Sequence, residues 1–218
     1  MRLSKSKGFN LVELMVAMVA GLLLVAAASA LFASILKANK TAMQVSRLNQ
    51  ELQSITDMMA RDIQRAGYDA SAATNTLLYN PTSGSSTTLF PFAFKSADDL
   101  ESNCIRVRYD DNENGALDNT SAAGETRRYK YNSAEKVIRL AKGDEGEADC
   151  ADVPEKGEKI STDDTIAISA LSFSMISGSV STGVRTIRLN ISGNDIKSPA
   201  LGLTLQRDIK LRNDGFLP

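Results

Sequence analysis

The sequence predicts an α+β fold: one long N-terminal α-helix packed on an antiparallel β-sheet head. Three observations predict it. Residues 9–36 are an apolar run whose only charge is Glu13. Residues 37–66 repeat apolar positions at helical spacing, and no proline occurs before Pro81. Beyond residue 100, apolar and polar residues alternate with period two in several short runs, with no strand–helix alternation. That pattern belongs to an antiparallel sheet rather than a doubly wound parallel one.

Composition narrows the function before any element is placed. The chain has 218 residues, 25 Lys and Arg against 26 Asp and Glu, a net charge of -1, no His and two Cys. The length suits one domain, or one domain plus an appendage. Near-neutrality gives no whole-molecule field for a polyanion, so no nucleic-acid partner is expected. The absence of His removes Ser–His and Cys–His pairs and every His-containing zinc site, and two Cys cannot make a four-thiolate one. Gly143-Asp144-Glu145-Gly146 is too acidic to cradle phosphate. No nucleophile–base pair emerges, and an enzyme is not expected.

The chain begins MRLSKSKG, with Arg2, Lys5 and Lys7 as its only charges there. Residues 14–36 are 23 consecutive uncharged positions. As a helix they measure about 34 Å, enough to cross a hydrocarbon core of about 30 Å. The apolar region of a secretory signal peptide is shorter. A signal anchor, its basic leader held in the cytoplasm, fits the length and the positive-inside rule. Neither explains Glu13, since a carboxylate near the start of an apolar span is costly and marks a function.

Lys7-Gly8-Phe9-Asn10-Leu11-Val12-Glu13-Leu14 resembles the class III signal of type IV pilins and pseudopilins: a short basic leader, a Gly, a Phe, and a Glu four residues after the Phe. Asn10 stands where that family usually has Thr. The resemblance implies that prepilin peptidase cuts between Gly8 and Phe9 and methylates the new amino group of Phe9. It implies four regions: a cleaved leader over 1–8, a transmembrane or filament-core helix over 9–36, an amphipathic helical half over 37–66, and a β-rich periplasmic head over 67–218. Cleavage would create a cationic amine one helical turn from Glu13. Their pairing, within a chain or between neighbours, lowers the cost of the carboxylate and gives Glu13 a role in assembly. The mature chain would carry 22 basic against 26 acidic residues, a net charge of -4.

Over residues 37–66 the apolar positions Ala42, Val45, Leu48, Leu52, Ile55, Met59 and Ile63 recur every three or four residues. Gln44, Arg47, Gln50, Gln53, Asp57, Arg61 and Gln64 fill the other face, as in a helix packed on one side. One helix over residues 9–66 would be about 87 Å long, with Gly67 as its C-terminal cap. Read locally, Asp62 and Arg65 form a weak surface pair one turn apart. The same stretch, Arg61-Asp62-Ile63-Gln64-Arg65-Ala66-Gly67-Tyr68, is similar to the helix end of PilW-type minor pilins, and also to that of the type II secretion minor pseudopilin J.

Residues 69–88 read as a loop and the rest as strands. Ile105, Val107 and Tyr109 alternate with Arg106 and Arg108; Tyr129 and Tyr131 alternate with Arg128 and Lys130; residues 137–140 make a short companion. A longer run over 166–175 slips phase near Ala170, as at a bulge. Ile187, Leu189 and Ile191 alternate cleanly, then Leu201, Leu203 and Leu205, followed by residues 209–211. One wet sheet face is expected, with Arg106, Arg108, Arg127 and Arg128 solvated on it.

Two motifs carry chemistry. In an oxidising periplasm Cys104 and Cys150 favour a disulfide, closing 47 residues and contributing about 4 kcal/mol in the chain-entropy account. Asp110-Asp111-Asn112-Glu113-Asn114-Gly115 opens like a calcium loop, with Asp110, Asn112, Asn114 and Asp118 at ligand positions. Ser121 occupies the twelfth position, where a bidentate Glu belongs. The alternative is a solvated turn at Asn114-Gly115.

The resemblance therefore implies a minor pilin that helps prime type IV pilus assembly and can sit at the pilus tip. It implies other minor pilins, the major pilin, prepilin peptidase and the inner-membrane assembly platform as partners. It implies storage in the inner membrane with a periplasmic head and location in the pilus after assembly. The alternatives are a type II secretion minor pseudopilin and a calcium-dependent adhesin or sensor head on a pilin anchor.

Overall fold

The computed structural model of the chain describes residues 8, 10–68, 70, 100–101, 103–115, 118, 124–143, 157–162, 164–177 and 185–213. One helix, α1, spans Leu11–Arg65. Eight strands follow: β1 (Leu100–Glu101), β2 (Cys104–Arg108), β3 (Thr126–Asn132), β4 (Val137–Lys142), β5 (Glu158–Lys159), β6 (Ile166–Ser177), β7 (Thr186–Asp195) and β8 (Gly202–Lys210). The α+β class read from the sequence is the class observed. The chain divides into two compact units, residues 1–44 and 45–218.

In the first unit α1 is apolar and open. Leu22, Leu24 and Phe32 are 69%, 73% and 63% exposed. This stretch is long and apolar enough to cross a membrane, and none of it is buried within the chain.

In the second unit the helix packs. Burial starts at Leu48 and recurs at Leu52, Ile55, Met59 and Ile63, the spacing of one helical face. Ala42 and Val45 were expected on this face and are exposed instead. Sheets β1-β2-β3-β4-β5 and β6-β7-β8 are both antiparallel. The helix face shares one core with Ile105, Val107 and Tyr129 of the first sheet and Ile187, Leu189 and Ile191 of the second. Gly193 makes the close approach possible: a Cβ there would lie 3.2 Å from Leu52 Cδ2 and 3.3 Å from Ile166 Cγ2.

Local chemistry sets the turns. Asn132 Oδ1 accepts from the amides of Ala134 and Glu135, and Lys136 takes a positive φ to close the β3–β4 hairpin, an Asx-type turn. That hairpin ties the two sheets together, since Ile168 N donates to Lys136 O at 2.8 Å and Tyr131 Oη donates to Ile168 O at 3.0 Å. The phase slip near Ala170 is a register shift between Ile168 and Ala170. The runs 201–205 and 209–211 prove to be mostly one strand. Polar Gln206, Arg207 and Asp208 interrupt its alternation while pairing with β7 continues through them.

The wet face expected on the first sheet is not wet. Every residue of β2 is buried, and Arg106, Arg108 and Arg128 are 4%, 3% and 3% exposed. Alternation assigned these arginines to a face correctly; it carried no information about what covers that face.

Candidate functional site

The end of α1 is where the helix is joined to the head. Ala66 is fully buried and Gly67 has φ +80°, the left-handed cap that glycine adopts without strain. Gly67 N donates to Arg108 O at 2.8 Å, and Asp110 N donates to Tyr68 O at 2.9 Å. The last helical carbonyls, which have no partner within the helix, are met from the end of the chain. Arg212 N donates to Gln64 O at 3.2 Å and Asn213 Nδ2 to Arg65 O at 3.1 Å.

Asp62 is the centre of this joint. Its side chain is 7% exposed, and it accepts from three residues of the first sheet and its flank. Arg127 Nη1 reaches both carboxylate oxygens at 3.1 Å. Tyr109 Oη donates to Oδ1 at 3.0 Å, and Tyr129 Oη donates to Oδ2. The expected surface pair with Arg65 does not form. Arg65 instead bonds Asp111 at 2.9 Å and lies 4.4 Å from the centroid of the Tyr109 ring. Arg127 bridges Asp62 and Asp111. A buried carboxylate is tolerable only when paired and hydrogen-bonded, and here it has both.

The electrostatics follow from that packing. Burial pushes the Tyr109 and Tyr129 phenols far above their ordinary range, and the adjacent Asp62 carboxylate adds to the shift. Burial alone would lower the Arg127 guanidinium, but Asp62, together with the neighbouring Tyr109 and Tyr129 phenols, more than offsets it and the net direction is up. Both tyrosines therefore remain hydrogen-bond donors to Asp62 throughout the neutral range.

Spacing along the chain did not point to Tyr109, Arg127 and Tyr129 at this joint, because their partner sits 47 to 67 positions away. A signal existed. Asp62 lies in the apolar stripe Ile55, Met59, Asp62, Ala66, spaced four, three and four, and an acid in such a stripe needs a partner.

The 110–118 loop closes on its own groups. Asp110 is fully buried and accepts from the amides of Ala70, Asn114 and Gly115 at 3.3, 3.2 and 3.0 Å. Asp118 Oδ2 accepts from Asn112 Nδ2 at 3.1 Å and Asn114 Nδ2 at 2.9 Å. Asn112 Oδ1 accepts from Asn114 N at 3.0 Å. The four candidate ligands are brought together, yet both oxygens of Asp110, Oδ1 of Asn112 and Oδ2 of Asp118 face N–H donors. Among the described residues no three acidic, His or Cys groups gather as a metal would need.

At the other end of α1, Asn10 O accepts from Leu14 N at 3.2 Å, and Glu13 Oε2 accepts from Asn10 N at 3.2 Å. Glu13 thus reaches back to the helix start from the third helical position, as the acid of a capping box does. Gly8 is exposed, while Phe9 lies outside the described residues. Cys104 is fully buried, packs with Ala141 and is disulfide-bonded; Cys150 lies outside the described residues.

Residues 41–211 match the family model of prepilin peptidase-dependent protein B, PpdB. The chain belongs to this family. Curated proteins and solved structures gave no match. The matched region holds the packed half of α1 and the head, and it excludes Gly8, Phe9 and Glu13. The family assignment thus rests on residues 41–211 and is independent of the first 14 residues. Family and fold together make this PpdB-type chain a type IV pilin-related, structural protein whose apolar helix is suited to membrane anchoring.

Proposed function

We propose that this PpdB-family chain is a minor pilin of the PilW type that joins other minor pilins to prime type IV pilus assembly. In this reading prepilin peptidase cuts between Gly8 and Phe9 and methylates Phe9. The subunit waits in the inner membrane with its head in the periplasm, and the assembly platform passes it to the pilus. The Cys104–Cys150 disulfide forms in that compartment.

The observation that carries this reading is the division of labour within α1. Residues 48–65 are fixed to the head by a buried face and by Asp62, whereas the apolar side chains of residues 11–36 have no packing partner among the described residues. Such a surface requires either lipid or the equivalent helices of other subunits. Glu13 is the one charge on it, held 3.2 Å from the amide of Asn10. The neighbouring residue is Phe9, where cleavage would place a cation.

The test is co-purification of the full-length subunit with other minor pilins from membranes, for wild type and Glu13→Ala. The expected result is an equal membrane level and a lost complex for Glu13→Ala. An undiminished complex would show that apolar packing alone recruits the subunit. Recovery of a secretion apparatus in place of minor pilins would replace the pilus assignment.

A further inference from the structure

Asn114-Gly115 is the only Asn-Gly step in the sequence, and such a step can rearrange without an enzyme. The Gly115 nitrogen loses its proton to solvent and bonds to Asn114 Cγ. The Cγ–Nδ2 bond breaks, ammonia leaves, and a five-membered imide remains. Water then opens the ring at either carbonyl, which leaves Asp or isoaspartate at 114; the net exchange is water in and ammonia out. Glycine presents no Cβ to hinder the attack, and Asn114 is exposed to the water that completes it. The loop cannot discard this glycine cheaply. Gly115 has φ +76° and Glu113 is already left-handed at φ +61°, a conformation that side chains rarely adopt.

Two carboxylates hold the reacting groups apart. Gly115 N donates to Asp110 Oδ2 at 3.0 Å, and Asp110 is fully buried. An anion at that distance opposes loss of the amide proton, because a second negative charge would form beside it. Asn114 Nδ2 donates to Asp118 Oδ2 at 2.9 Å. The nucleophile is therefore held by Asp110 and the amide it would attack is held by Asp118. The backbone between them is also pinned, since Asn114 N donates to Asp110 Oδ1 at 3.2 Å and to Asn112 Oδ1 at 3.0 Å. Ring closure requires this set of bonds to open. The adjacent Asp111 ties the same loop to Arg65 at the helix end and to Arg127, so an opened loop also loosens the joint between helix and head.

We propose that Asn114 is a latent deamidation site that the fold keeps closed, with Asp110 holding the nucleophile and Asp118 the leaving amide. Opening of the loop releases the reaction, and the product resists reclosure. An Asp at 114 replaces the Nδ2 donor with a carboxylate beside that of Asp118, and like charges in contact repel. An isoaspartate also lengthens the main chain between Glu113 and Gly115. Copies whose loop has opened are thereby marked permanently.

The test uses the full-length protein in detergent at mildly alkaline pH, sampled over time and read by peptide mass spectrometry for Asp and isoaspartate at 114. The native protein should react about tenfold or more slowly than the same protein unfolded in guanidinium chloride, because opening breaks hydrogen bonds to charged groups. Asp110→Asn, shown to be folded by its melt, should react about threefold or more faster than the native wild type. Gly193→Ala perturbs the head at Leu52 and Ile166, away from the loop, and should react at the wild-type rate. A native wild type that reacts at the unfolded rate would overturn the proposal. So would a folded Asp110→Asn at the wild-type rate, or an equal acceleration in Gly193→Ala, which would assign the reaction to global unfolding. If Asp110→Asn fails to fold, the native-to-unfolded ratio and Gly193→Ala decide.

Discussion

Two carboxylates on one helix, Glu13 and Asp62, show how differently the two halves of α1 are used. Glu13 is exposed, and its described bond is to the helix-start amide of Asn10. Asp62 is buried among two phenols and a guanidinium drawn from the first sheet and its flank. The residues around them differ in the same way. Residues 11–36 are apolar on all sides and exposed on all sides, which is the pattern of a helix that packs outside its own subunit. Residues 48–65 are apolar on one side only, and that side is buried in the head. A uniformly apolar helix marks packing supplied by something else, while an amphipathic one marks packing supplied by the same chain.

Asp62→Ala breaks the second half most severely. It leaves partly buried Arg127 without its main partner and both buried phenols without an acceptor, a loss of about 3–5 kcal/mol. The melting temperature should fall by about 6–20 °C. A double-mutant cycle with Arg127→Gln should show strong coupling; additive effects would mean that the joint does not depend on this pair. Asp110→Ala removes the acceptor of three backbone N–H groups and should cost about 2–3 kcal/mol. Melts run with calcium and with chelator separate the two readings of the loop. A structural turn loses stability equally in both, whereas a calcium site loses it only when calcium is present.

Gly193→Ala should cost about 1–2 kcal/mol by forcing Leu52 and Ile166 aside, measured by denaturant unfolding. The pH dependence is subtler. Tyr109 and Tyr129 have raised pKa values in the fold, so they stay protonated where the unfolded chain ionises, above about pH 10. The stability they contribute is complete below that pH and is lost as pH rises beyond it. Melting temperature should decline above about pH 10, less steeply in Tyr129→Phe. The smallest effect belongs to the first half of the helix. Leu24→Ala, at a position 73% exposed, should leave head stability within about 0.5 kcal/mol of wild type. A larger loss would mean that this half packs on its own head.

Much of this was legible in the sequence because helix and strand periodicity are local. The buried stripe Leu48, Leu52, Ile55, Met59 and Ile63 and the bulge at Ala170 were read directly from spacing. The misreadings share a cause, which is that spacing reports direction and not cover. Asp62 looked like the partner of Arg65 three residues on, because its true partners are brought in by β3 and by Tyr109, the residue that follows β2. Arg106, Arg108 and Arg128 looked wet, because alternation is the same whether water or protein lies above a face. Strands β1 and β5 are two residues each, too short to produce any alternation.

The central claim is that residues 9–36 are a processed assembly helix carrying a separately packed head. The most direct measurement is the intact mass and N-terminal sequence of the full-length protein isolated from membranes, with and without active prepilin peptidase. The account predicts a chain beginning at N-methylated Phe9 when the peptidase is active and the full-length precursor when it is not. A mature chain that begins beyond Ala30, or retains Met1 in the presence of active peptidase, would contradict it.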